Sequence, residues 1–269
     1  MTHFERKYKL ALCQMPVSYD KDENLETASR YVSDAADAGA KLICLPEMWN
    51  TPYDSSKFRE FSEPADGQSV EVLKDLAKRN EIFLVGGSIP ELDGEEVYNT
   101  SFIFDPTGAQ IARHRKVNMF EVNIEGGIRF READTLSAGD GLTIVDTDFG
   151  KIGVAICFDV RFPEMFGEMK EAGAHLILLP AAFNMTTGPA HWDLLMRSRA
   201  MDNQLYFAAC SAARDTKSAY ISYAHSCIAS PWGEYAGSID SQAGIVYSTI
   251  DIDYINKIRA ELPIGNPAL

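Results

Sequence analysis

Positive charge is what this chain has least of: 25 Lys and Arg stand against 39 Asp and Glu, giving a net charge of −14 and a pI near 4.8. A nucleic-acid partner would want a basic stripe and anionic lipid would repel such a surface, so neither nucleic acid nor membrane is expected. Long apolar runs are also missing. Nothing approaches the roughly 20 residues of a membrane span, and the apolar run after Met1–Lys9 is too short for a signal segment. The expected location is cytoplasmic. Cysteine is scarce and scattered, five residues (Cys13, Cys44, Cys157, Cys210, Cys227) with no Cys-x-x-Cys, which argues against a disulfide framework or zinc ribbon and for a reducing compartment. His3, His114, His175, His191 and His225 form no His-Glu-x-x-His, so no metal is expected. A Gly-x-Ser-x-Gly elbow, a phosphate loop and a Gly-x-Gly-x-x-Gly fingerprint are absent too, which removes a serine hydrolase and any nucleotide cofactor from the expectation. A small-molecule substrate is the better prospect.

What is present is an ordinary globular composition, 46% apolar and 24% charged. No linker divides it, so residues 1–269 read as one domain. The most informative stretch runs from Lys151 to Pro163. Ile152, Val154 and Ile156, with Gly153 and Ala155 between them, read as a strand buried on both faces, and it ends in Cys157 and Asp159. Parallel strands open their C-terminal ends onto a crevice, so a thiol there is held rigidly and still meets a small molecule. Cys157 is the candidate nucleophile, although a free cysteine packs equally well as a small hydrophobe.

In chain order, Leu10–Met15 reads as a strand, Asn24–Ala38 as a helix with Leu25, Ala28, Val32 and Ala35 on one face, and Lys41–Leu45 as the next strand. That order needs a right-handed crossover between parallel strands. Glu47 follows at the second strand's exit. Ser69–Asn80 reads as a helix and Ile82–Ile89 as one strand; Val97–Phe104 and Gln110–Lys116 form a hairpin around Asp105-Pro106-Thr107-Gly108. Of the three basic residues it delivers, His114 and Arg115 read as a solvated edge. Lys116 opens an irregular stretch, Val117–Ala138, long enough to be functional. Leu142–Asp146 and Lys151–Cys157 form a second hairpin. Pro163–Gly173 is a helix, His175–Leu179 a strand with a polar exit at Pro180–Pro189, His191–Asn203 a helix and Leu205–Cys210 a strand. Ser226–Ser230 and Ile245–Ile250 read as a last hairpin-like pair before a helix at Tyr254–Ala260. Alternating strands and helices interrupted by hairpins favour an α/β fold of two packed mixed sheets with helices outside.

Glu47, Lys116 and Cys157 thus stand at strand ends. Their surroundings, Leu45-Pro46-Glu47, Arg115-Lys116 and Ile156-Cys157-Phe158-Asp159-Val160-Arg161-Phe162-Pro163-Glu164, resemble in order the three signature blocks of the nitrilase superfamily of carbon-nitrogen hydrolases. The resemblance runs from Leu10 to about Pro263. It implies an αββα sandwich of two mixed six-stranded sheets flanked by helices, with a Glu, Lys, Cys triad. Asn50-Thr51-Pro52-Tyr53, Gly86-Gly87-Ser88-Ile89-Pro90-Glu91, Phe130-Arg131-Glu132, Ala182 to Trp192 and Pro231-Trp232-Gly233-Glu234 are most similar to the ω-amidases, which hydrolyse the terminal amide of 2-oxoglutaramate and 2-oxosuccinamate. The family's second glutamate matches Glu132, with Glu125 as the alternative. Relatives carry His-Leu-Phe-Asp where this chain has Val117 to Phe120, and Tyr where it has Phe158. Phe158, Arg161, Phe183, Asn184, Thr187 and His191 are the candidate substrate-binding residues; Arg161 could equally pair with Asp159. The resemblance further implies a homodimer and no cofactor. Other small amides (deaminated glutathione, an N-carbamoyl compound) and a catalytically silent binding member of the fold remain alternatives.

Overall fold

The computed structural model describes residues 6–123 and 129–264. Among them the order is β1 (Lys7–Gln14), α1 (Lys21–Asp37), β2 (Leu42–Cys44), α2 (Phe58–Phe61), α3 (Gln68–Asn80), β3 (Phe83–Val85), β4 (Ile89–Asp93), β5 (Glu96–Phe104), β6 (Gln110–Arg115), β7 (Glu121–Asn123), β8 (Arg129–Arg131), β9 (Thr143–Thr147), β10 (Gly150–Val154), α4 (Pro163–Glu171), β11 (Ala174–Pro180), α5 (Gly188–Asn203), β12 (Tyr206–Cys210), β13 (Cys227–Ala229), β14 (Tyr235–Ser238), β15 (Gly244–Asp251) and α6 (Ile252–Glu261). Two 3-10 turns, Glu132–Asp134 and Cys157–Arg161, lie between strands. Helix α1 starts three residues earlier than the apolar stripe suggests because the Asp20 carboxylate accepts the Glu23 N–H and caps it.

Strand alternation builds the layers. In β2, Leu42 and Cys44 point between the sheets while Ile43 points outward to α1 and α3; in β11, Leu176 and Leu178 point between the sheets while Ile177 and Leu179 meet Phe166, Trp192 and Met196. All of these strand side chains are fully buried, each worth about 1.5–3 kcal/mol against exposure. The result is a four-layer αββα sandwich whose two sheets share one apolar interior. Each sheet has a parallel centre, β1-β2-β3 in one and β10-β11-β12 in the other, extended by antiparallel strands.

The structure corrects the expected details in four places. The sheets have seven and six strands rather than six each, because the long β5 pairs β3 and β4 along one edge and β6 along the other, while β7 and β8 form a separate two-stranded piece. Residues 82–89 are not one strand: at Gly87 the backbone takes φ +59, and a Cβ there would lie 2.2 Å from the Pro46 carbonyl oxygen. Glycine lets the chain bend against the loop that carries Glu47. The last pairing also differs, since β13 turns through Pro231-Trp232-Gly233 onto β14, and β15 runs antiparallel along all of β1 in the other sheet. Finally, β10 ends at Val154, and Cys157 opens the 3-10 turn with φ +46.

Candidate active site

Strand exits from both sheets converge at one end of the sandwich. Glu47 follows β2, Lys116 follows β6 and Cys157 follows β10. The Lys116 ammonium, wholly buried, donates to Glu47 Oε1 at 3.1 Å and to Glu132, with Oε1 at 3.0 Å and Oε2 at 2.8 Å. Glu132, in its 3-10 turn, also accepts the Phe120 N–H at 2.8 Å and the Tyr53 hydroxyl at 3.3 Å. Asn99 of β5 donates to Glu47 Oε1 at 2.8 Å; Glu47 Oε2 is buried without a well-aligned partner, and the Cys157 thiol adjoins that carboxylate. The Ala182 N–H points at the Cys157 sulfur.

One ammonium faces two carboxylates in a buried site, and the balance sets every proton. Burial lifts the Glu47 carboxyl above its usual range; the Lys116 charge pulls it back and the Glu132 charge adds to the rise. Burial by itself would lower the Lys116 ammonium, yet the charges of Glu132 and Glu47 outweigh it and hold the group firmly protonated. Burial and the Glu47 charge push the Cys157 thiol well up, against the pull of Lys116 and the Ala182 N–H. The resting sulfur is therefore a thiol beside a carboxylate able to take its proton. The Phe158 N–H lies in the first turn after Cys157, where backbone donors have no acceptor within the turn.

The carbon-nitrogen hydrolase family profile matches residues 9–260 of this chain. The chain belongs to that family. Nitrilase homolog 2 of Dictyostelium discoideum is 46% identical over 98% of this chain and 81% of its own length. Omega-amidase NIT2-A of Xenopus laevis is 45% identical over 96% of this chain and 94% of its own. Nit3 of Saccharomyces cerevisiae, described as a member of branch 10 of the nitrilase superfamily, superposes with a TM-score of 0.91 at 40% identity, covering 98% of this chain and 97% of its own. The expected resemblance to the nitrilase superfamily and its ω-amidases is thus borne out over nearly the whole chain.

In this carbon-nitrogen hydrolase the candidate substrate-binding residues divide into two groups. Phe158, Arg161, Phe183 and Thr187 line a small hollow beside Cys157, closed by Phe120 and Tyr220. Asn184 and His191 stand behind it: the Asn184 side-chain oxygen Oδ1 accepts the N–H groups of Thr186 and Thr187, and His191 Nδ1 lies 3.2 Å from an Arg161 Nη2. Arg161 is not paired with Asp159. Its guanidinium sits 5.3 Å from the rings of both Phe158 and Phe183, and its Nε is a buried donor with no acceptor among the described residues. Glu132 lies beside Lys116, with Oε1 3.0 Å from its ammonium; Glu125 lies outside the described residues.

His114 and Arg115 are not a solvated edge. His114 is buried, its two ring nitrogens 3.0 Å from Thr143 Oγ1 and 3.4 Å from Asp159 Oδ2, and Arg115 pairs with the buried Glu91 and lies 3.7 Å from the Tyr98 ring centre. Tyr53 and Tyr220 lie over the site with ring centres 4.5 Å apart and planes tilted by 36°; the sequence showed Tyr53 only as part of Asn50-Thr51-Pro52-Tyr53 and did not single out Tyr220. The aromatic spacing Tyr220, Tyr223 in an otherwise unassigned polar stretch was the available signal. Among the described residues no group of three or more His, Cys, Asp or Glu could hold a metal ion.

Proposed function

We propose that this chain is an amidohydrolase for small 2-oxo acid amides such as 2-oxoglutaramate and 2-oxosuccinamate, releasing ammonia through a thioester on Cys157. The observation that carries the reading is the closed set of Glu47, Lys116, Glu132 and Cys157 opening onto a hollow lined by Arg161, whose Nε has no hydrogen-bond partner among the described residues. Two relatives bearing the name omega-amidase, from Xenopus laevis and Homo sapiens, at 45% and 42% identity, support it. An amide whose far end is a carboxylate suits the Arg161 donor, and the apolar rings of Phe158 and Phe183 suit the short carbon chain between.

The steps follow from the protonation states. The Cys157 sulfur attacks the amide carbon as Glu47 takes its proton, and negative charge moves to the carbonyl oxygen. Lys116 and the Phe158 N–H hold that oxygen, each such donor contributing roughly 3–4 kcal/mol. Glu47 then returns the proton to nitrogen, the C–N bond breaks and ammonia leaves. Water, deprotonated by the same carboxylate, attacks the thioester, the C–S bond breaks and sulfur recovers its proton. Glu132 touches no reacting atom in this scheme. It holds Lys116 charged and aimed.

One catalytic domain is the natural unit, since both sheets supply the site. Five free, buried thiols support a reducing, cytoplasmic setting, and no helix among the described residues is long and apolar enough to cross a membrane. A homodimer is supported by exposed Leu194 and Met201 on one face of α5, with exposed Trp232 on the turn packed against it. The deciding measurement is ammonia release from 2-oxoglutaramate, glutamine, deaminated glutathione, an N-carbamoyl amino acid and a nitrile, with Cys157→Ala alongside. The reading expects 2-oxoglutaramate to be turned over best, an acyl adduct on Cys157 by mass spectrometry, and at least about a thousandfold loss in Cys157→Ala. Better turnover of deaminated glutathione would move the assignment to another amide, and no adduct with any amide would leave a silent binding member of the fold.

A further inference from the structure

The crevice over the catalytic groups is two hollows. One holds Cys157, Phe158 and Arg161; the other, open at its mouth, holds Glu47, Met48, Thr51 and Tyr53. Among the described residues, Ala182 and Tyr220 line both. The Tyr220 hydroxyl donates to the Ala182 carbonyl, one peptide group away from the N–H that faces the Cys157 sulfur. Its ring leans on Tyr53, whose own hydroxyl donates to Glu132, so both rings are tied to the site's rigid parts. The partition is a tyrosine side chain on a loop.

The proposed chemistry gives the two hollows different jobs. The acyl chain and its carboxylate belong on the Arg161 side. The departing nitrogen must take a proton from Glu47, and the attacking water must give one to Glu47, so both use the Glu47 side. We propose that Tyr220, braced by Tyr53, sets the size of this amine port, restricting it to ammonia outward and water inward and so confining the enzyme to primary amides. This inference rests on the reading of the chain as an amidohydrolase. The bonds balance for any nucleophile that fits: its lone pair bonds to the thioester carbon, its proton passes to Glu47, the C–S bond breaks, and sulfur takes the proton back. A larger amine fails only because the ring stands where its substituent would go.

The test compares wild type with Tyr220→Ala and Tyr220→Phe on 2-oxoglutaramate and its N-methyl and N-benzyl derivatives, scored by release of the oxo acid. Loss of the ring is expected to raise the kcat/KM ratio of N-methyl to primary amide by about tenfold or more, in the range pocket shape controls, while Tyr220→Phe stays within about twofold of wild type. An unchanged ratio in a folded Tyr220→Ala overturns the proposal, as does a relaxed ratio in Tyr220→Phe, which would assign the effect to the hydroxyl. Tyr220→Leu serves if the alanine variant does not fold. A second measurement does not depend on the physiological amide: p-nitrophenyl acetate acetylates Cys157, and hydroxylamine or O-benzylhydroxylamine competes with water for the acetyl group. The proposal requires O-benzylhydroxylamine capture to be low in wild type and to rise about tenfold in Tyr220→Ala relative to hydroxylamine. Equal capture in both enzymes overturns it even if 2-oxoglutaramate proves not to be a substrate; failure on 2-oxoglutaramate with size-selective capture intact overturns only the substrate assignment.

Discussion

The loops that carry Glu47 and Cys157 leave strands in different sheets and are held by different means. The Glu47 loop is braced mainly by the backbone of residues 86–88, with the Ser88 hydroxyl accepting the Met48 N–H. Its Pro46 carbonyl accepts the Ser88 N–H at 3.1 Å, Trp49 N–H reaches the Ser88 carbonyl at 3.2 Å, and the Trp49 indole donates to the Gly86 carbonyl at 2.7 Å. The Cys157 loop is braced by one side chain. Asp159 Oδ2 accepts the Ile156 N–H at 3.0 Å and lies 3.4 Å from His114, while its Oδ1 accepts the N–H and the side-chain amide of Asn118 at 2.8 and 2.9 Å. That carboxylate thus joins the strained residue bearing sulfur to the segment just past Lys116. Backbone bracing fixes Glu47, the proposed base, against its own sheet, and side-chain bracing fixes Cys157, the proposed nucleophile, against Lys116 across the crevice.

The side-chain brace gives the largest expected effect. Asp159→Ala takes the acceptor from the buried Ile156 N–H and His114 ring and from the part-buried N–H and side-chain amide of Asn118, which should lower stability by about 3–5 kcal/mol in denaturant titrations. Burial works against the Asp159 charge, but His114 and the donated N–H groups prevail and hold its carboxyl below the ordinary range. Its contribution is therefore complete above the unfolded-state value and is lost only as pH falls through the lower folded one. At neutral pH kcat should fall much more than KM rises, because Asp159 touches no substrate. Asp159→Ala with native kcat would show that the Cys157 turn holds its own shape.

Gly87→Ala tests the other brace. The new Cβ meets the Pro46 carbonyl at 2.2 Å on a residue already at φ +59, so a loss of roughly 3 kcal/mol is expected, with lower kcat/KM because Glu47 is displaced. A harmless Gly87→Ala would remove the contrast between the loops.

How much of this could be read from the sequence divides along the same line. The groups proposed to do the chemistry were legible because each sits next to a strong local signal: Glu47 after an apolar strand and a proline, Cys157 after another strand, Lys116 at the end of a hairpin. The layered α/β architecture was legible from strand and helix periods. His114 was misread because its burial depends on Asp159, 45 residues later, while locally it is one of three basic residues at a strand end. The partner of β15 was misread because no short-range signal tells a strand to cross to β1, some 240 residues away, in preference to its neighbour. Tyr53 and Tyr220 lie in irregular segments, where no period marks which side chain turns inward.

The smallest expected effect asks whether the backbone-braced carboxylate is also tuned by a side chain. Asn99 donates to Glu47 Oε1 at 2.8 Å from β5, a bond that favours the charged carboxylate against the burial that disfavours it. Asn99→Ala removes that donor, so the Glu47 carboxyl should rise further above its usual range. A base must be ionised to take the Cys157 proton, so the acid limb of kcat/KM should move to higher pH, and activity measured well above the limb should change little. Stability should drop by only about 1 kcal/mol, the usual worth of one hydrogen bond. An acid limb that stays in place while activity falls at every pH would mean that Asn99 only fills space beside Glu47. A limb that moves to lower pH would be harder to accommodate, since losing a donor cannot stabilise the carboxylate, and the limb would then belong to a different group.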